Sequence, residues 1–140
     1  MKHNTFTWSG WASFLLLTVL FSNTTGCISF LDRTTTVYGR VTDDSQQPID
    51  SLEVELSGVF TFGGGLPLAT TYTDSEGNYK ITYKVPKDFS RGNVFIIPSG
   101  KKFDKYKREY LIYVDGNLTS SCCRIPIGTS KNYDFLLLNK

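Results

Sequence analysis

The sequence predicts an all-β sandwich behind a short export signal. Three observations carry this. Tyr79, Ile81, Tyr83 and Val85 alternate with Asn78, Lys80, Thr82 and Lys84, the period of two of a strand with one buried face. Short apolar or alternating runs, roughly seven of them, recur between Gly, Pro, Asn and Asp turn signals. No stretch sustains a helical period, and no internal repeat is present. A sheet face this apolar needs a second layer to cover it.

In chain order, Thr36-Val37-Tyr38-Gly39-Arg40-Val41 reads as the first strand, and the polar segment 42–50, with Pro48, as a turn. Leu52-Glu53-Val54-Glu55-Leu56 alternates with its glutamates outward, and Ser57-Gly58 breaks it. Residues 67–73 lead a second strand into a hairpin spanning 71–85. There Asp74 can bond its own backbone two residues on, and Gly77 supplies the positive φ of a tight turn. Asn93-Val94-Phe95-Ile96-Ile97-Pro98 is expected as a central strand covered on both faces, and Tyr110-Leu111-Ile112-Tyr113-Val114 as another strand. Asp115-Gly116-Asn117 is a turn signal, residues 124–128 form a short extended piece limited by Pro126, and Asn132-Tyr133-Asp134-Phe135-Leu136-Leu137-Leu138 closes the domain.

The start of the chain has a different grammar. Lys2, the apolar run Trp11-Ala12-Ser13-Phe14-Leu15-Leu16-Leu17-Thr18-Val19-Leu20-Phe21 and the small-residue segment before Cys27 follow the order of a secretory signal. The run is shorter than the roughly 20 residues of a membrane span. Gly26-Cys27 resembles the lipobox of bacterial lipoproteins in a relaxed, Bacteroidetes-like form, with Thr24 where that motif usually carries Leu. The resemblance implies a signal peptide of residues 1–26 and diacylation of Cys27, a tether of residues 27–35, and a domain of residues 36–138. Two acyl chains anchor firmly where one binds marginally. The implied address is the envelope, on the outer membrane.

The 140 residues carry a net charge of +2, and removing Lys2 with the signal lowers it by one. A near-neutral domain argues against a nucleic-acid partner. The single histidine, His3, leaves with the signal, so histidine-dependent nucleophilic catalysis and histidine zinc sites are excluded from the mature chain. No enzyme activity and no cofactor are expected.

Val37-Tyr38-Gly39-Arg40-Val41-Thr42-Asp43, Gln47-Pro48-Ile49, Leu52-Glu53-Val54-Glu55-Leu56-Ser57-Gly58 and Thr71-Tyr72-Thr73-Asp74-Ser75-Glu76-Gly77-Asn78-Tyr79 together resemble the carboxypeptidase regulatory-like domain. The resemblance implies a seven-stranded, Greek-key, transthyretin-like (prealbumin-like) sandwich, and a module that is usually non-catalytic. Such modules accompany peptidases and outer-membrane transporters or stand alone in lipoproteins. The fold alone names no function.

Four features remain as candidate sites. Phe60, Phe62 and Gly63-Gly64-Gly65 form an apolar, glycine-rich excursion that departs from the family pattern. Its aromatics could stack on a sugar or a partner, its glycines admit a ligand to the backbone, and the plainer reading is a long hairpin folded over the sandwich edge. Lys101, Lys102 and Lys105 lie in a basic segment, 101–108, interleaved with Phe103 and Tyr106; it reads as a solvated loop or as a surface for anionic headgroups or polymers. Cys122 and Cys123 are adjacent, with a strained vicinal disulfide, an interchain bridge or buried thiols as alternatives, the thiols being favoured. Asp43, Asp44, Asp74, Glu76 and Asp115 read as turn formers, with a shared calcium site as the alternative. The expected partners are the membrane, through Cys27, and another envelope protein; a glycan is the alternative.

Overall fold

The computed structural model describes residues 32–120 and 123–140. The signal peptide, Cys27, the tether as far as residue 31, and Cys122 lie outside the described residues. The remainder is a sandwich of two sheets. One has five strands in the order β4 (Asn78–Lys84), β1 (Thr34–Asp43), β9 (Ser130–Asn139), β6 (Tyr106–Val114), β7 (Asn117–Thr119). The other has four, in the order β3 (Gly65–Tyr72), β2 (Glu53–Phe60), β5 (Phe89–Ile97), β8 (Arg124–Ile125). The described residues contain no α-helix, only a 3₁₀ turn at Lys101–Phe103.

The predicted alternation is what fills the space between the sheets. Val37, Val41, Leu52, Val54, Leu56, Val94 and Ile125 are completely buried, joined by Ile81, Phe135 and Leu137 in one continuous core. The described residues form nine strands where roughly seven were expected: β8 falls in the short extended piece expected at 124–128, and β7, three residues long, is too short to show a period. The first strand begins at Thr34, so the last residues assigned to the tether belong to the sheet. Thr35 is fully buried, and the Arg33 guanidinium donates to the carbonyls of Val85, Pro86 and Phe89 at 2.6–2.9 Å.

The hairpin expected over residues 71–85 is a corner between sheets. Its turn forms as predicted: Asp74 Oδ1 accepts from the amides of Glu76 and Asn78, and Gly77 has φ 79°. The strands on either side, β3 and β4, nevertheless lie in different sheets. Thr73 directs the separation. Its buried hydroxyl donates to Ile49 O at 2.6 Å and accepts from Leu52 N at 2.9 Å, so the chain is tied to the 49–52 segment before it turns. Gly77 O accepts from Val41 N, which commits the exit to β1.

All strand pairs are antiparallel except β1 with β9. That parallel ladder is interrupted at Gly39 and Arg40. A Cβ on Gly39 would lie 2.0 Å from Tyr133 O, so only glycine fits. Tyr79, opposite Gly39 on β4, reaches across β1 and donates its hydroxyl to the same Tyr133 O at 2.7 Å. Asp134 Oδ1 takes the Arg40 amide at 2.8 Å in place of a backbone carbonyl. Tyr133 in turn donates its own hydroxyl to Arg124 O on the opposite sheet at 2.6 Å.

Burial, reinforced by the nearby Asp134 and Tyr133, pushes the Tyr79 phenol far above its ordinary value of 10.0. The folded state therefore holds the neutral phenol while the unfolded chain ionises. Stability from this source is complete below pH 10.0 and is lost as pH rises above it. Y79F should lower stability by about 1–2 kcal/mol at neutral pH and remove part of the alkaline decline. Denaturant melts at neutral and alkaline pH read both effects.

Candidate functional site

Strands β2 and β3 are joined by a four-residue turn at 61–64. Phe60 N donates to Gly64 O at 3.1 Å and Gly63 N to Phe60 O at 3.2 Å. Gly63 and Gly64 have φ of 96° and 75°, and a Cβ on either would meet nothing within 4 Å. Their positive φ serves the turn geometry, and no other part of the protein packs against them. The two phenylalanines part company. Phe60 packs inward and stacks on Phe89, with centroids 4.7 Å apart and planes 27° apart. Phe62 stands at the tip, 102% exposed. The two readings of this excursion thus divide between the rings: Phe60 folds back as the hairpin reading expects, and Phe62 stands exposed.

Beside this hairpin, the outward face of the β3–β2–β5 sheet forms an open groove of about 360 Å³. Its floor follows from cross-strand registry. Ser57 lies between Pro67 and Asn93, Val59 between Gly65 and Arg91, and Glu55 between Thr70 and Phe95. Leu66, 53% exposed, and Phe95, 39% exposed, supply apolar walls. Gly63, Gly64 and Gly65 form the rim. Two polar atoms here are buried and have no protein partner, Arg91 Nε and Asn93 Oδ1. One is a donor and the other an acceptor, two residues apart on β5. Leaving such atoms unpaired is costly, so they are the groups from which a ligand has most to gain.

Arg91, Asn93 and Phe95 were not recognisable as site residues while the run around them read as a strand covered on both faces. That reading is corrected: β5 starts at Phe89 and shows Arg91, Asn93 and Phe95 to the outside while Gly92, Val94 and Ile96 face in. The signal was present as polar residues at period two, Arg91 and Asn93, preceding the apolar run.

The other candidates separate from this groove. Residues 101–108 sit at the opposite end of the sandwich. Ile97, just before them, pairs with Glu53 at the start of β2, whereas the turn bearing Phe62 follows its end. Lys101 and Lys102 lie in the 3₁₀ turn; Lys102 Nζ donates to Asp50 O at 3.3 Å and lies 4.9 Å from the Phe103 ring, and Lys105 Nζ lies 4.8 Å from the Tyr106 ring. Both rings are buried in the core, so the segment is a folded cap on the sandwich. These lysines and the Phe62 tip therefore lie at opposite ends of the sandwich and form no common surface. Cys123 is buried and disulfide-bonded, which corrects the preference for free thiols; its partner lies outside the described residues.

A second groove, of about 530 Å³, lies on the outer face of the five-stranded sheet at the β1–β9 ladder break. At its centre several polar groups are already engaged: Asp134 Oδ1 accepts from Arg40 N and Asn132 Nδ2, and Arg40 Nε donates to Glu76 O. The turn acids also act separately. Asp43 Oδ1 accepts from the amides of Ser45 and Gln47, Asp44 from Asn139, and Asp115 pairs with Lys131 at 2.6 Å, which lowers the Asp115 pKa. Among the described residues no three His, Cys, Asp or Glu side chains gather as a metal site.

No protein-family model and no curated protein sequence matches the chain. Among solved structures it is distantly similar to a 9R-lipoxygenase from Cyanothece PCC8801, with TM-score 0.41 and 18% identity over 77% of this chain and 17% of that one. It is also similar to 3-chlorocatechol 1,2-dioxygenase from Rhodococcus opacus 1CP, with TM-score 0.45 and 13% identity over 76% of this chain and 60% of that one. The chain thus spans less than two thirds of either protein. The likeness is one of sandwich architecture and assigns no family.

The two phenylalanines should respond differently to truncation. F60A removes the stack on Phe89 and should lower stability by about 2 kcal/mol. F62A should stay within about 0.5 kcal/mol of wild type in the same denaturation experiment.

Proposed function

We propose that this chain is a bacterial envelope lipoprotein anchored through Cys27, whose sandwich is a non-catalytic accessory module that docks another envelope protein in the groove beside the β2–β3 hairpin. The observation that carries the docking site is the pair Arg91 Nε and Asn93 Oδ1, buried without protein partners in a groove with apolar walls. Alternate residues on a strand are about 6.6 Å apart, the repeat of an extended peptide laid along it. A peptide chain offers a carbonyl to Arg91 and an amide N–H to Asn93, while Leu66 and Phe95 accept its apolar side chains.

The sequence resemblance to the carboxypeptidase regulatory-like domain supports the modular, non-catalytic part of this reading. The matching residues Gly39, Asp43, Thr73, Asp74, Gly77 and Tyr79 all build turns, corners or the ladder break. They frame the sandwich and leave the groove to residues outside the motif. A glycan is the second reading, favoured by Phe95, whose ring is exposed on the same face as Arg91 and Asn93.

Crosslinking and pull-down of the tagged full-length chain from native membranes tests the main reading. Wild type should recover a specific envelope protein, and R91A/N93A should lose it with little change in the melting curve, because Arg91 Nε and Asn93 Oδ1 have no protein partner. C27A should lose it through release from the membrane. Recovery unaffected by R91A/N93A would remove the groove from the proposal, and a glycan-array signal lost in the same variant would transfer it to a sugar.

The anchor also constrains the disulfide. The chain has three cysteines, so lipid on Cys27 leaves Cys122 as the partner of Cys123. Peptide mapping of the unreduced protein should place both in one peptide with no alkylatable thiol. A Cys27–Cys123 linkage would exclude the lipid.

A further inference from the structure

We propose that the end of the sandwich bearing Phe62 rests on the membrane, with the Phe62 ring seated in the bilayer interface. The inference rests on the lipid-anchored reading and adds to it an orientation and a second lipid contact.

The argument follows the chain from its point of entry. Arg33 is fixed where β4 ends and β5 begins, by its hydrogen bonds to the carbonyls of Val85, Pro86 and Phe89. Phe89 stacks on Phe60, the last residue of β2, and the 61–64 turn follows at once. Gly128 N donates to Thr35 Oγ1, which brings the turn before β9 to the same place. The entry of the chain, the 86–88 loop, the turn at Gly128 and the Phe62 tip therefore share one end. Cys27 precedes Asp32 by five positions. At about 3.5 Å per residue that length reaches no more than roughly 18 Å, so an acylated Cys27 holds this end close to the bilayer.

What this end presents suits an interface. Phe62 is 102% exposed, and Gly63 and Gly64 behind it have open space around them, so nothing shields the ring. A single exposed apolar side chain is ordinary on a protein surface. Phe62 differs because it lies at the end where the chain departs toward its anchor. The charges here do not favour an electrostatic contact: Lys87 is followed by Asp88, Lys84 acts on Asp32, Lys131 pairs with Asp115, and the Arg33 guanidinium is engaged by three carbonyls. The concentrated basic segment, residues 101–108, is at the far end. The contact is accordingly hydrophobic and shallow, at the headgroup–acyl boundary where apolar side chains of surface-bound segments lie.

Both tryptophans, Trp8 and Trp11, precede Cys27, so F62W places a single tryptophan in the processed chain. The probe is the purified full-length lipoprotein in vesicles of phosphatidylethanolamine and phosphatidylglycerol, with and without lipids brominated high on the acyl chain. The F62W emission should shift to the blue and lose roughly half its intensity to the bromines, as an interfacial ring would. Y72W reports from the other end of β3, where Tyr72 is 61% exposed, and should show neither effect. Both positions are surface-exposed, so the fold should tolerate both substitutions. The mass of the N-terminal peptide from the same samples reads diacylation. Equal quenching at the two positions, or quenching of neither on a diacylated chain, overturns this orientation and leaves the lipoprotein reading intact. A chain without diacylated Cys27 overturns both.

Discussion

Tyr133 O is the point on which the two sheets depend. It lies where a side chain on Gly39 would have to be, and it accepts the hydroxyl of Tyr79 from the far side of β1. The parallel approach of β1 and β9 thus requires a glycine on one strand and a long phenol on a third. A parallel pair cannot be joined by a short turn, so the whole chain between β1 and β9 is spent on the crossover. Tyr133 then hands the constraint to the other layer through its hydroxyl on Arg124 O. One buried carbonyl therefore links β1, β4 and β9, and the side chain of the same residue links them to β8.

The corners follow the same economy of polar groups. Asp43 and Asp74 each satisfy two backbone amides in their own turns, and Thr73 closes a buried carbonyl and amide on the 49–52 segment. Backbone groups that no ladder reaches, buried at Thr73 and more exposed in the two turns, are paired by side chains here. Against that background Arg91 Nε and Asn93 Oδ1 are exceptions, and they lie together in the groove. The adjacent edge strand β3 is itself a poor template for another strand. It carries Pro67, and its ladder with β2 shifts register between Leu56 and Ser57. A partner peptide is accordingly better received on the face than added to that edge.

Much of the fold was legible in the residues. The alternation of Leu52, Val54 and Leu56 with Glu53 and Glu55 gave the inward face of β2, and Asp74 with Gly77 gave a turn that formed as expected. The candidate site was legible only in part. Gly63-Gly64-Gly65 marked the hairpin, but composition could not say that Phe60 stacks on Phe89 while Phe62 points to solvent. Nor could it assemble Glu55, Pro67, Arg91 and Asn93, which are up to 38 positions apart in the chain and meet through strand registry.

The sequence by itself determined the local quantities: the all-β class, the faces of strands that alternate cleanly, such as β2 and β4, and the turn positions. These depend on the period of side chains along one strand and on the φ preferences of Gly and Asp. Tertiary structure alone decided which strands pair. Residues 71–85 read locally as a hairpin, yet Thr73 and Gly77 bond to segments more than twenty residues away and send β3 and β4 to opposite sheets. It also decided that Lys101 and Phe62 lie at opposite ends, because distance in a sandwich is set by the direction of each strand and not by separation in sequence.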